Sequence, residues 1–566
     1  MSLDTQPPAT EPFAACRRLA ESRWAVWALL ALCLAMFVPG IASFPVTDRD
    51  EARYAQASAQ MAQTGDYVHI RFQDEPRNKK PVGIYWLQAA AVQVTGELGA
   101  GAIWPYRLPS LVGASLAVLL LFTLGRAAFG PSTAFLAAGL LAACVLAASE
   151  ARLAKTDAFL LATAVAAQMA LIRIYLARCE GAAPTVGLAA LFWIAEGAAI
   201  LIKGPVVPFI TLLTGAALAL TDRKTRWLSS LRFGWGVPLM VLIAAPWFVV
   251  LGLEGGGGNF VRESVGHDLL PKLLGGEESH GGWPGTYLLL SPLTFWPGSL
   301  VLVPALVVAW RERASPRVRA LLCWLVPAWI AFELVPTKLP HYVLPLYPAL
   351  ALLMAWAAVE KTAASGTILK RFWGRLWLGL WALLGLALAA LGIGAAAVLQ
   401  ASSAMTAAVG LLVAGVVLVV GAIVFAARAK PTAALGFATV LAIPFYGLLF
   451  AGVAPRLDPI WVSRSASALV TKYAGEDDFP IAAAGYSEPS LVFYLGTATV
   501  LTDGKGAADA LAAGDAGMAL VESREAEAFR AEASKRGVAV QPLGAIHGLD
   551  YSRGRPTTLT LYRPPR

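Results

Sequence analysis

Thirteen apolar stretches constrain this chain before anything else does. They run over 24–43, 106–128, 131–148, 157–176, 186–202, 205–221, 234–252, 286–309, 318–335, 342–358, 374–398, 405–427 and 433–453. Each approaches the ~20 residues that a helix needs to cross the hydrocarbon core of a bilayer. Composition agrees: 57% of the 566 residues are hydrophobic and 14% are charged, with a mean hydropathy of +0.63. Soluble domains carry about 25% charged residues. The expected fold class is a polytopic α-helical membrane protein. The first stretch has no small-residue cleavage pattern and is expected to act as a signal anchor.

One further apolar stretch, Pro81 to Thr95, is ambiguous by length, and the basic residues decide it. With the N-terminus inside (Arg17, Arg18, Arg23) and 81–95 not crossing, the inner loops receive Arg126, Arg173, Arg178, Arg223, Lys224 and Arg226. They also receive Arg311, Arg313, Arg317, Arg319, Lys361, Lys370, Arg371, Arg428 and Lys430. That is a consistent positive-inside pattern, and counting 81–95 as a span would invert every later loop. The stretch is therefore expected to lie as a helix at the outer face. The net charge of +9 then reflects inner loops rather than nucleic-acid binding. Five scattered cysteines without a CxxC give no disulfide framework and no thiolate metal site.

The outer loops are 44–105, 149–156, the turn near 203, 253–285, 336–341 and everything after 453. They hold Asp48, Asp50, Lys80, Asp157, Lys203, His267 and His341, and all five histidines fall on this side. Residues able to do chemistry thus collect on one face. From about Arg456 the composition becomes that of a soluble domain. Short strands are expected at Ile481–Ala484, Ala498–Leu501, Met518–Val521 and Thr557–Tyr562, with helices at Pro489–Tyr494, Ala507–Ala513 and Arg524–Lys535. The organisation expected is a membrane domain, 1–455, followed by a small outer α/β domain, 456–566, with a supporting or gating role.

Individual outer residues have local explanations as well as chemical ones. Thr47 with Asp50 resembles a capping box, and Asp157 could cap the helix it opens. Lys203, in LIKGPVVP, could reach the interface by snorkelling, but a lone charge between apolar spans is a functional candidate by default. RNKKPVGIYW sets Lys79 and Lys80 before an interfacial helix with Tyr85 and Trp86, which suits an anionic headgroup. The Gly-rich loop 254–285 carries Arg262, His267, Asp268, Lys272 and His280 and could order over a substrate. His267 and His280 with nearby acids could hold a divalent metal, although their spacing matches no standard site. TKLPHYVLP adds Lys338, His341 and Tyr342 in a tight turn. Carboxylates and cations converging from five loops suit group transfer from a lipid-phosphate donor. Cations would stabilise the leaving phosphate, and a carboxylate would deprotonate or orient the acceptor.

These motifs, TDRDEARYAQASAQMAQTGDYV, KPVGIYW, TDAF, KGPV and KLPHYVLP, resemble the bacterial membrane glycosyltransferases related to the lipid A aminoarabinose transferase. That group sits with the protein O-mannosyltransferases in the GT-C class. The resemblance covers roughly residues 40–350 as ordered motifs. It implies a GT-C fold of about thirteen transmembrane helices with juxtamembrane helices outside, and inverting transfer of a sugar from polyprenyl (undecaprenyl) phosphate. The acceptor implied is lipid A or a related envelope glycolipid, at the periplasmic face of the inner membrane. Matched by motif, Asp48 is the expected catalytic carboxylate, Asp157 the second acidic position, and Lys80 the carrier-phosphate lysine with Arg53 beside it. Lys203, His267 and Tyr342 fall in motifs lining the same cavity.

The expected catalytic pair is thus Asp48 and Asp157. The expected substrate contacts are Asp50, Arg53, Tyr54, Lys79, Lys80, Tyr85, Lys203, His267, Lys272, His341 and Tyr342. No cofactor is expected to be required. Lys79 departs from the family, which has an acidic residue there associated with zinc; a second cation at this point suits a more acidic donor sugar. Two other functions fit the same residues: glycosylation of secreted proteins by this fold, and lipid or sugar transport without transfer chemistry. Charges tracking through the spans at mid-depth would mark a transporter, and here they cluster at one face.

Overall fold

The computed structural model describes residues 17–47, 49–99, 101–269, 271, 281–474 and 479–565. Each of the thirteen expected stretches forms helix. In order these are α1 (Ala25–Phe37), then α2 (Asp50–Thr64) and α3 (Gly83–Thr95) between the first two stretches. There follow α4 (Trp104–Phe129), α5 (Pro131–Ala143), the short α6 (Val145–Glu150), α7 (Asp157–Cys179), α8 (Val186–Lys203), α9 (Val206–Asp222) and α10 (Phe233–Leu253). Then come α11 (Thr286–Thr294), α12 (Leu302–Arg311), α13 (Pro316–Leu334), α14 (Tyr347–Val359), α15 (Phe372–Val398), α16 (Ser402–Ala427) and α17 (Pro431–Gly447). Among the described residues, eight helices are long and apolar enough to cross a membrane, and a bent pair makes up to nine. The chain is a multi-pass membrane protein.

One stretch departs from a straight crossing. Residues 286–309 break between α11 and the Gly298–Arg311 helix, with a bend of 115°. Pro292 and Pro297 remove two backbone donors across this segment, which a continuous helix would need. Helix α3 has 13 residues, about 20 Å of length, too short for a core of ~30 Å. A left-handed Gly96 ends it.

The centre of the bundle is α7, buried along nearly all its length, against α4, α8 and α9. Helix α15 packs mainly on α16, which packs also on α17, and both keep most of their surface free. One arginine holds the end of α1 in place. Buried Arg152 donates from Nε to Pro39 O at 2.8 Å, donates also to Met36 O and Ala148 O, and lies 4.3 Å from the Phe450 ring. Lys338 donates to Phe332 O, Glu333 O and Val335 O at 2.6–2.9 Å, capping α13. The Glu333 carboxylate in turn accepts from Gly285 N and Leu288 N at the start of α11.

The C-terminal region forms a five-stranded sheet, order β4-β3-β5-β7-β6, from β3 (Ile481–Ala484), β4 (Val500–Thr502), β5 (Met518–Glu522), β6 (Gln541–Asp550) and β7 (Arg555–Arg563). An outer two-stranded ribbon, β1 (Arg71–Phe72) with β2 (Glu75–Pro76), precedes α3. Strands β3, β4 and β5 are parallel, and β7 runs antiparallel to β5 and β6. Both sheet faces are covered. Ala482, Ala484, Ala519 and Val521 meet α20 (Gly504–Ala513) and α21 (Ala526–Lys535); Ile481, Ala483, Met518 and Leu520 meet α18 (Val462–Ala474) and α19 (Pro489–Leu495).

Candidate functional site

Helix α2 carries the TDRDEARY motif. Its N-terminus is not the expected capping box: Asp50 is the first helical residue and Arg49 the cap, without a side-chain cap bond. Glu51 instead reaches back, accepting from Thr47 N and Oγ1 at 2.9 Å. Glu51 is fully buried and also accepts from Ala154 N at 2.9 Å and from Arg107 Nε and Nη2 at 2.8 and 3.0 Å. Arg107 spends its remaining donors on Ile41 O, Phe44 O and Pro45 O. All five guanidinium N–H groups are thereby used. Burial disfavours the charged Glu51 carboxylate, but Arg107 and the Thr47 and Ala154 amides outweigh it and hold its pKa below the usual range. This joint fixes α2, the exit of α1 and the 152–156 segment relative to one another.

Beside that sealed pair, Asp50 is exposed to solvent, and Lys155, Arg77, His341 and Arg53 act on its charge. Burial opposes its charge, while Lys155, Arg77, His341 and Arg53 favour it, and the balance lowers its pKa. Asp157 is not the helix cap that its position allows; Thr156 holds that place. The buried Asp157 carboxylate accepts from Lys203 Nζ at 2.5 Å. Lys203 also lies 5.7 Å from the Tyr342 ring. So α7, the end of α8 and the 337–345 turn meet, as the motifs imply.

Two members of the cluster were missed from sequence. Glu150, at the end of α6, accepts from Lys155 Nζ at 3.0 Å and lies 3.8 Å from His341 Nδ1. Burial pushes the Glu150 pKa up, with Lys155 opposing. Burial works against the Lys155 charge, but Glu150 and Asp157 overcome it and raise its pKa. Both residues sit in SEARLAKTD, a charged run in an outer loop, which was the available signal. Arg77 is the third omission. It donates to Tyr85 Oη at 3.2 Å and sits 5.2 Å from the Tyr54 ring, and the two tyrosine rings lie 5.3 Å apart. Gly83 explains how KPVG approaches LIKG: a Cβ there would stand 2.7 Å from Leu201 O.

The remaining expected residues divide. Arg53 and Lys80 are partly buried on the same elements, and Lys79 is exposed. His267 is exposed in the turn Arg262–Leu269, and no hydrogen bond or ion pair joins it to the cluster among the described residues. Asp48, Lys272 and His280 lie outside the described residues. Among those described, no group of three His, Cys, Asp or Glu side chains is arranged to hold a metal ion.

The C-terminal sheet region abuts α2. Val46 N donates to Tyr494 Oη at 3.1 Å, Gln56 Nε2 to Thr497 Oγ1 at 2.6 Å, and Gln73 Nε2 to Thr497 O and Thr499 O at 3.0 and 2.6 Å. Arg49 reaches Ser552 O at 3.3 Å and Glu488 at 3.8 Å.

Residues 79–249 match the family "Dolichyl-phosphate-mannose-protein mannosyltransferase". The chain is 31% identical over 375 residues to an undecaprenyl phosphate-α-4-amino-4-deoxy-L-arabinose arabinosyl transferase of Pseudomonas paraeruginosa, covering 65% of this chain and 66% of that one. A transferase of the same description from Aeromonas hydrophila is 27% identical over 338 residues, 59% of this chain and 60% of that one. The chain thus spans less than two thirds of the length of these relatives, 66% and 60%. In fold it matches ArnT from Cupriavidus metallidurans bound to undecaprenyl phosphate, with TM-score 0.73, 20% identity and coverage of 95% and 98%. The archaeal oligosaccharyltransferase AglB from Archaeoglobus fulgidus matches at TM-score 0.53, 12% identical, covering 88% of this chain and 69% of that one. The chain is thus similar in sequence to aminoarabinose transferases, and it shares the GT-C fold of its structural matches.

Proposed function

We propose that the chain is an inverting glycosyltransferase that moves a sugar from undecaprenyl phosphate to lipid A or a related envelope glycolipid. The inner membrane is its place, with the cluster facing the periplasm. The observation that carries this reading is the meeting of Asp50, Glu150 and Asp157 with Lys155, Lys203 and Arg77 at one end of the bundle. The names of the relatives, which include an undecaprenyl phosphate-linked donor and a bound undecaprenyl phosphate, support the carrier.

The chemistry follows from charge. Lys80, Arg53 and Arg77 receive the carrier phosphate. The bond between the anomeric carbon and the phosphate oxygen breaks, with its electron pair leaving on the phosphate, where these cations stabilise it. The acceptor oxygen bonds to the anomeric carbon from the opposite side. A hydroxyl acceptor gives its proton to Asp50; an ionised lipid A phosphate gives none, and Asp50 then orients it. Asp157, held by Lys203, sets the lysine toward the phosphate. Asp48 keeps the role its motif position implies, alongside Asp50. The C-terminal region supports α2.

The test is transfer by the purified chain from undecaprenyl phosphate-linked aminoarabinose to lipid A, read by mass spectrometry, with Asp50→Asn, Asp48→Asn and Asp157→Asn. Product from the intact chain and loss in Asp50→Asn support the reading; unchanged product in Asp50→Asn sinks the assignment of that carboxylate. A second reading, transfer to a protein hydroxyl, has the mannosyltransferase match over 79–249 in its favour. Product on a secreted protein and none on lipid A would select it. Lys79→Glu tests the donor: unchanged preference between neutral and acidic sugars removes Lys79 from sugar selection.

A further inference from the structure

A cavity of about 470 Å³ opens at the far end of the bundle, lined by Thr221, Arg311, Arg313, Arg319, Leu322 and Cys323. It lies where α9 and α12 end and α13 begins. Its depth is fixed through α7. Arg319 Nη1 donates to Tyr175 Oη at 3.4 Å, and Tyr175 stands about 27 Å along the helix from Asp157 at 1.5 Å per residue. That span approaches the ~30 Å hydrocarbon thickness. The cavity and the Asp50–Asp157 cluster therefore occupy opposite membrane boundaries.

The charge in the cavity is only partly balanced. Arg319 pairs with Asp222 at 2.6 Å. Glu312, between the other two arginines, turns away to Lys361 at 2.6 Å. Arg313 folds against its own helix, donating to Trp310 O at 2.6 Å with its guanidinium 4.6 Å from the Trp310 ring. Among the described residues, no carboxylate lies within ion-pair distance of Arg311 or Arg313. Trp310 is 66% exposed, as an interfacial aromatic is, and Leu220 beside Thr221 is 77% exposed. The site combines two arginines without a carboxylate partner among the described residues, an apolar floor at Leu322 and Cys323, and exposed apolar surface at Leu220 and Trp310.

We propose that this cavity binds the phosphate headgroup of an anionic phospholipid of the inner leaflet. Arg311 and Arg313 donate to the phosphodiester, Trp310 marks the headgroup level, and the acyl chains follow the exposed Leu220 side of α9. Basic pockets between transmembrane helices at this boundary take such headgroups. A free phosphate would meet the arginines but leave the apolar floor unused. The proposal is independent of the transfer reaction at the other face.

The test is native mass spectrometry of the full chain in detergent with added phosphatidylglycerol or phosphatidylcholine. The intact chain is expected to retain phosphatidylglycerol and not phosphatidylcholine. Arg311→Gln with Arg313→Gln should weaken retention about 10–30-fold. Arg317→Gln, which lines a neighbouring cavity, should not, and inorganic phosphate at millimolar concentration should not displace the lipid. Equal retention by the double variant, equal retention of phosphatidylcholine, or displacement by inorganic phosphate would overturn the proposal. If the double variant does not fold, the intact chain still decides: retention unchanged between about 0.05 and 0.5 M salt contradicts an arginine-held headgroup.

Discussion

The two ends of α7 carry charge in opposite ways. At the Asp157 end, acids and bases alternate and are mostly buried: Asp157 with Lys203, Glu150 with Lys155, Glu51 with Arg107. At the Tyr175 end, one sign dominates and the side chains are largely exposed, with Arg311, Arg313 and Arg317 at the surface. Placing paired charges out of water is costly and is tolerated where geometry is worth fixing. Single-sign exposed charge fixes little inside the protein but acts on what lies outside it. The difference separates a region built to hold atoms in place from one built to meet the bilayer.

That contrast can be broken most directly at Lys203. Lys203→Met leaves Asp157 buried without its cation, and removing one partner of such a pair costs about 3–5 kcal/mol. Thermal unfolding in detergent should show a large drop, together with loss of transfer. An unchanged melting temperature would mean that the pair is solvated and the end of α7 is not sealed. Glu51→Gln should act differently: misplacement near 1 Å costs about 10²-fold in rate, while binding of undecaprenyl phosphate changes by less than about threefold. Parallel losses in both would make Glu51 part of the phosphate site instead.

The pH dependence sharpens the same comparison. The lowered Asp50 pKa keeps this carboxylate ionised at pH values where an ordinary aspartate, near 3.9, begins to protonate. Activity that depends on Asp50 is retained through that region and lost as pH falls through the lowered value. Glu51 follows the same sign for stability: its contribution is present above the unfolded value and lost as pH falls through its lowered folded value. Stopped assays on the acid side should place the fall in rate below pH 3.9; a fall centred above it would point to another group. Gln73→Ala removes two bonds to the C-terminal region, worth about 1 kcal/mol each, and should slow transfer by less than tenfold. The smallest effect belongs to Arg317→Gln at the inner end, with a stability change within about 0.5 kcal/mol.

Much of this was legible in the sequence because spans and loops obey two strong rules, apolar length and basic inner loops. Those rules located all thirteen helical stretches, and α3 has the helical form expected of it at a length of 13 residues. They did not show the break in 286–309, where hydropathy stays high across prolines that interrupt the backbone. In the C-terminal region β6 was missed: QPLGAIHGLD carries Pro542, Gly544 and Gly548, which argue against a strand. The structure tolerates them because β6 is an edge strand with an irregularity at Pro542/Gly544. At the site, Lys203 approaches both Asp157 and Tyr342, while His267, expected beside them, makes no hydrogen bond or ion pair to the cluster among the described residues. Arg107 and Arg152 were passed over; most of their partners are backbone carbonyls at and after the end of α1, which no spacing rule identifies.

The central claim is that the proposed sugar transfer to lipid A takes place at the cluster of Asp50, Glu150 and Asp157, at the Asp157 end of α7. The most direct measurement is mass spectrometry of lipid A from cells carrying the intact gene, a deletion, or Asp50→Asn. The account predicts a sugar mass present with the intact gene and absent in both others, its value separating an aminopentose from a hexuronic acid. Identical lipid A in all three would contradict it.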